Sequence, residues 1–316
     1  MRFAPIFLAL TVAATACKKP KTVKDEPTAA GSTTDLASDR SMQVMNYYVE
    51  FFNDMIDDVP DLTSNYWERA GDTGLDADTM GKWGNVICAG AGWMKMKRDE
   101  AKERVAQVER QSSGEFAKMP PMAKAVYDTA IAHAEKRDAM CAYVKGGGWK
   151  TDGAAAAKTH HAELVKTKEA FNAAIDTLGD ELERVEDAQS NAELKKHEAK
   201  QSYGYWFRFA TIRTNVWLRT ARRDGAKAEA ALPALKESLA AFTAFASKST
   251  DAHASFASFA KQVDRMSAAI AKLEPALAKA KTPADKSKVV DVAMEDLISI
   301  YNTMVSLHNT LTSQVQ

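Results

Sequence analysis

Three cysteines and six histidines are the side chains of this sequence best suited to chemistry. His160 and Glu163 stand three residues apart, and Glu193 and His197 four apart, so each pair shares one face if its segment is helical. Glu and His projecting inward from facing helices hold the metals of di-metal bundles. That makes His160, His161 and Glu163 the candidates for an iron or zinc site. The plainer alternative is a solvated His160 beside a hydrogen-bonded core His161. His133, His253 and His308 stand isolated. Zinc-protease HExxH and Gly-x-Ser-x-Gly elbows are missing from the sequence, and GGGW at 146–149 lacks the GK[ST] and the preceding strand of a phosphate loop. No catalytic residue and no cofactor is expected, and the chain reads as something other than an enzyme.

Cys17 carries a different chemistry. Arg2 precedes an apolar run from Phe3 to Val12, and the small residues Ala14-Thr15-Ala16 stand directly before the cysteine. The run is too short to span about 30 Å of hydrocarbon as a helix, so residues 1–16 read as a signal peptide. Small residues before a cysteine are similar to the lipobox of bacterial lipoproteins, which implies acylation of Cys17 and anchoring to a membrane through its acyl groups. An ordinary secretory peptide with a chance cysteine is the competing reading. Residues 17–37, rich in Lys, Pro, Thr and Ser, read as a lipidated flexible tether. Lys18, rather than an acidic residue, follows the cysteine, which favours the periplasmic face of the outer membrane. Cys88 and Cys141 remain. In an oxidising compartment they are a natural disulfide between two helices; two buried thiols are the alternative.

The positioning elements are helices. Val290, Ala293, Leu297, Ile300, Met304, Leu307 and Leu311 step by three and four, and a second seam runs Leu164, Phe171, Ile175, Leu178, Leu182 and Val185. A third seam, Val44, Tyr48, Phe51 and Met55, follows a candidate N-cap at Ser38 and is expected to stop before Pro60. Further helices are expected near 78–110, 121–145, 191–222, 227–247 and 252–280. The reading is all-α: one elongated antiparallel helical bundle over 38–316, with the loop at 146–153 the best place for any boundary.

Aromatic residues Tyr203, Tyr205, Trp206, Phe207, Phe209 and Trp217 interleave with Arg208, Arg213, Arg219, Arg222 and Arg223. That mixture suits either a stacking surface or a helical core. YVEFFNDMI at 48–56 also echoes LISIYNTMV at 297–305, which places Asn53 and Asn302 beside their seams, where an amide can fix helix register. Chance likeness between amphipathic helices explains the echo equally well.

The lipobox at Cys17, the Phe52-Asn53 helix, YVKGGGWKTDGAAAAKTHHAEL at 143–164 and the closing Tyr301-Asn302 helix together resemble the YiiG-like family of bacterial lipoproteins. In that family an aromatic residue followed by Lys and Asp precedes a helix bearing a His, here Trp149, Lys150, Asp152 and His160 or His161. Trp149 stands where Tyr is the pattern, and the GGG run is unusual. The resemblance implies a helical envelope lipoprotein and no particular activity.

Composition narrows the classes further. With 42 basic against 42 acidic side chains, the chain lacks the cationic surplus a nucleic-acid binder needs. An apolar fraction of 46% beside 27% charged residues excludes global disorder. What remains is a lipid-anchored periplasmic module that binds or scaffolds, with an envelope protein as its partner. The alternative is a metal-handling lipoprotein, and an enzyme acting on envelope material has only location in its favour.

Overall fold

A computed structural model describes residues 33–71, 74–89, 93–112, 114–199, 202–248 and 254–314. Cys17, the signal peptide and the first part of the expected tether lie outside the described residues. Those described form ten α-helices and no strand: α1 Thr33–Ala70, α2 Ala77–Ile87, α3 Trp93–Gln111, α4 Met119–Lys145, α5 Gly148–Asp152, α6 Ala155–Glu198, α7 Tyr203–Arg223, α8 Gly225–Ala246, α9 Ala254–Lys279 and α10 Pro283–Gln314. They fall into two compact units, residues 33–186 and 187–314. The division lies within α6 and not at 146–153, which is a compact turn inside the first unit.

In the first unit the predicted seams face one another. Val44, Tyr48, Phe51, Phe52 and Met55 of α1 bury against Met119, Ala123 and Val126 of α4 and against Phe171, Ile175, Leu178 and Leu182 of α6. Asp54 pairs with Arg104, and the Tyr48 hydroxyl shares a 2.5 Å hydrogen bond with Ser112. Those two contacts run α3 antiparallel to α1. Tyr48 also stacks on Phe116 just before α4, while Thr63 lies beside His133, so α1 and α4 are parallel. The helix α6 returns antiparallel to both.

Three sequence expectations fail here for local reasons. Ser38 is no N-cap, because α1 begins at Thr33; once the seam fixes a helix, additional turns need no new nucleus. Nor does Pro60 end it. The ring is exposed, while Val59, Leu62, Thr63 and Tyr66 around it are buried, and that burial outweighs the lost backbone bond. The helix expected over 78–110 is two, broken after Cys88, which caps α2. Likewise 191–222 is divided, with Ser202 opening α7.

The second unit packs α7 to α10 as an up-down-up-down bundle together with the last turns of α6. Phe207, Phe242, Phe256 and Phe259 gather at one end, and the starts of α8 and α10 meet at the other. Asp224 alone separates α7 from α8, accepting from Ala226 and Lys227 N–H as the N-cap. Directly after it Gly225 touches α10. A Cβ there would stand 2.5 Å from the Lys286 carbonyl carbon and 2.5 Å from the Ser287 nitrogen, both backbone. Neither atom can swing aside. Gly225→Ala is therefore expected to destabilise the second unit by about 1–3 kcal/mol, read as faster hydrogen exchange in α8 and α10; unchanged exchange contradicts this packing.

Candidate functional site

The stretch that carries the family-like residues forms the joint between α4 and α6. Gly147 and Gly153, at φ +71° and +60°, bracket the single-turn helix α5. Trp149 lies between them and donates from Nε1 to the Val144 carbonyl near the end of α4, at 3.2 Å. The Lys150 ammonium stands over the same indole at 5.2 Å. Asp152 accepts from the Ala154 and Ala156 N–H groups at the start of α6, and from the Tyr143 hydroxyl at 2.7 Å. The Tyr143 bond, followed by those backbone donors, holds its carboxyl below the usual range. Each of these residues is a fastener of the joint.

The three metal candidates part company. His160 is half-buried with its ring 5.2 Å from that of Tyr143. His161 is buried, as its place on the seam predicts, and its Nδ1 shares a 2.7 Å hydrogen bond with the Tyr66 hydroxyl. Burial pushes the Tyr66 phenol well up, so it keeps its proton. Glu163 pairs instead with Lys136 at 3.0 Å, whose hydrogen bond and charge hold its carboxyl low. The pair Glu193 and His197 does touch, at 3.1 Å, but Lys196 and Arg208 take the same carboxylate. Burial would raise Glu193; those donors outweigh it and bring it to about 2. Among the described residues no three His, Cys, Asp or Glu side chains gather as a metal would require.

A polar junction that the sequence reading passed over lies at the centre of the first unit. Trp67 Nε1 donates to Thr63 Oγ1 at 2.9 Å, and Thr63 Oγ1 lies 3.3 Å from His133 Nε2. On the other side His133 Nδ1 stands 2.9 Å from Thr167 Oγ1. The Thr167 hydroxyl is already engaged as donor to the carbonyls of Glu163 and Leu164. Those carbonyl bonds, shorter than the 3.5 Å from Thr63 Oγ1 to the Pro60 carbonyl, favour Thr167 as acceptor from Nδ1–H, the neutral tautomer in which Nε2 accepts from Thr63. One directed chain thus joins α1, α4 and α6. Burial, with Lys168 and Arg137 nearby, lowers the His133 imidazole to about 4.

One turn along α4, the buried Arg137 donates to the Ala89 carbonyl at 2.5 Å, just past the end of α2. Cys88 and Cys141 form a disulfide beside it, with Cα atoms 5.5 Å apart. The bond joins the C-cap of α2 to α4, and it closes a loop whose chain-entropy contribution is about 4 kcal/mol. Spacing could have revealed this cluster. Val126, Ala130, His133, Arg137, Met140 and Val144 continue one seam of α4, so His133 and Arg137 were bound to face inward.

On α7 the aromatic and arginine residues divide between core and clamp. Phe207 and Trp217 are buried, Trp217 donating to the Ala228 carbonyl at 3.0 Å. Arg208 and Arg219 reach Glu193 and Asp187 on the final turns of α6. The exposed Arg213 stands over Phe209 at 5.5 Å in stacking geometry. His308 is buried near Phe207 and is lowered to about 4, chiefly by burial. The echo of α1 in α10 holds for the apolar frame, since Phe52 and Tyr301 are both buried. It fails for the amides: Asn302 is exposed and lines a shallow recess of about 490 Å³ on the outer face of α10. His253 lies outside the described residues.

Fold and site together define an all-helical, disulfide-fastened protein whose inward polar residues bind helix to helix. The sequence matches a family of proteins of unknown function, DUF3829, over residues 39–310, and the chain belongs to that family. Neither a curated protein nor a solved structure matches it.

Thr63 is the one residue bonded to both Trp67 and His133. Thr63→Val keeps the shape and strands two buried polar atoms, a change expected to lose about 2 kcal/mol of stability in urea unfolding. A loss within error of zero contradicts the directed chain.

Proposed function

We propose that this protein is an envelope lipoprotein, acylated at Cys17 and held at the periplasmic face of the outer membrane, which acts by binding or scaffolding an envelope protein rather than by catalysis. The observation that carries the reading is Ala14-Thr15-Ala16-Cys17 behind an apolar run with a single leading arginine. The narrower likeness to YiiG-like lipoproteins belongs to the same reading.

Two further observations support it. The buried bond between Cys88 and Cys141 suits an oxidising compartment, where such bonds persist. No helix among the described residues is long and apolar enough to cross a membrane, which agrees with attachment through acyl groups at Cys17. A binding role is favoured over metal handling because His161 and Glu163 are engaged by Tyr66 and Lys136.

Cys17→Ser tests this directly. The native chain is expected to incorporate labelled palmitate and to sediment with outer-membrane vesicles, and the variant to do neither. An unlabelled, soluble native chain would falsify the proposal.

A further inference from the structure

His133 lies where three helices are fastened, and both of its nitrogens are engaged: Nδ1 with Thr167 of α6, Nε2 with Thr63 of α1. The ring is 2% exposed. The charged groups acting on it are cations, Lys168 from α6 and Arg137 from α4 itself. The carboxylates at this level are turned to other partners, Glu163 to Lys136 and the largely exposed Asp138 to Arg137. From α1 the junction receives Thr63 and, through it, the indole of Trp67. Tyr66 and His161 are bonded to each other.

A second proton on the ring converts Nε2 from acceptor to donor. Thr63 can answer only by turning its own hydroxyl toward the Pro60 carbonyl, 3.5 Å away, and accepting from both Trp67 and His133. The hydrogen bonds can then be remade, but the new charge gains no counter-ion and stands near two like charges. A buried charge without a partner is the costly case.

We propose that His133 is an acid-sensitive latch: on protonation α1 beyond Pro60 separates from α4 and α6, admitting water to the ring and uncovering Tyr66 and Trp67. The disulfide keeps the C-cap of α2 on α4 throughout, which confines the motion to the final turns of α1.

The direction in pH follows from the two states. Closed, the ring is lowered to about 4, first by burial and then by the two cations. Open and hydrated, it titrates near the ordinary value of about 6.5. Opening therefore takes up a proton between those values. Stability of the closed state is complete above about pH 6.5 and is lost as pH falls toward 4, the opening equilibrium rising roughly tenfold per pH unit.

Hydrogen exchange of the full mature chain, corrected for intrinsic rates, reads this opening. Peptides spanning 60–70 are expected to lose about fortyfold in protection from pH 6.5 to 4.5. In His133→Gln, where a neutral amide can both donate and accept, the same peptides should hold their protection. Persistence of the full pH slope in that variant overturns the latch. So does an equal loss across α8 and α9 of the native chain, which would mark a general acid response. Should His133→Gln fail to fold, Lys168→Gln takes its place. It removes one facing cation and is expected to shrink the native loss, and an undiminished loss overturns the proposal equally.

Discussion

A polar side chain that helical periodicity turns inward must find its hydrogen-bond partner inside the bundle, and this constraint governs the first unit. Thr63 and His133 are buried and Thr167 is half-buried on the facing sides of three helices. The donors and acceptors they pair help set how α1, α4 and α6 register. Apolar contacts supply most of the driving force, but they are indifferent to small shifts along a seam. The directed chain is not. Tyr66 with His161 and Arg137 with Ala89 extend the same logic to the C-terminal turns of α1 and the end of α2.

The same constraint explains why residue types that suggest chemistry are each bonded to separate partners here. A metal site needs several ligands with free lone pairs converging on one point. Tyr66 occupies the Nδ1 of His161, Lys136 the carboxylate of Glu163, and Lys196, His197 and Arg208 the carboxylate of Glu193. The family-like residues Trp149 and Asp152 close helix ends across the joint of α4 and α6.

Much of the fold was legible in the sequence. The seam of α10 is legible residue by residue, because an unbroken three-and-four step fixes one buried face, and that of α6 is legible from Phe171 onward. Breaks were harder. Pro60 signals a stop whatever its surroundings, and only the burial of Val59, Thr63 and Tyr66 reveals that the helix continues. The end of α2 at Cys88 depends on a disulfide and on Arg137, both reaching from α4. Of the site, the inward placement of His161 was readable from its step to Leu164. His133 was not recognised, because Thr63 and Thr167 stand 70 and 34 residues away and neither residue type announces a partner. Asn302 shows the converse, a local likeness to Asn53 that its exposed position on α10 does not sustain.

His161 and Glu163, bonded to Tyr66 and Lys136, fasten helix to helix in place of serving as metal ligands, and this assignment is open to direct test. Elemental analysis by plasma mass spectrometry, on the full mature protein purified without a histidine tag, tests it most directly. The account predicts neither iron nor zinc in stoichiometric amount after dialysis. Stoichiometric metal in the native protein that disappears in His161→Ala would contradict it.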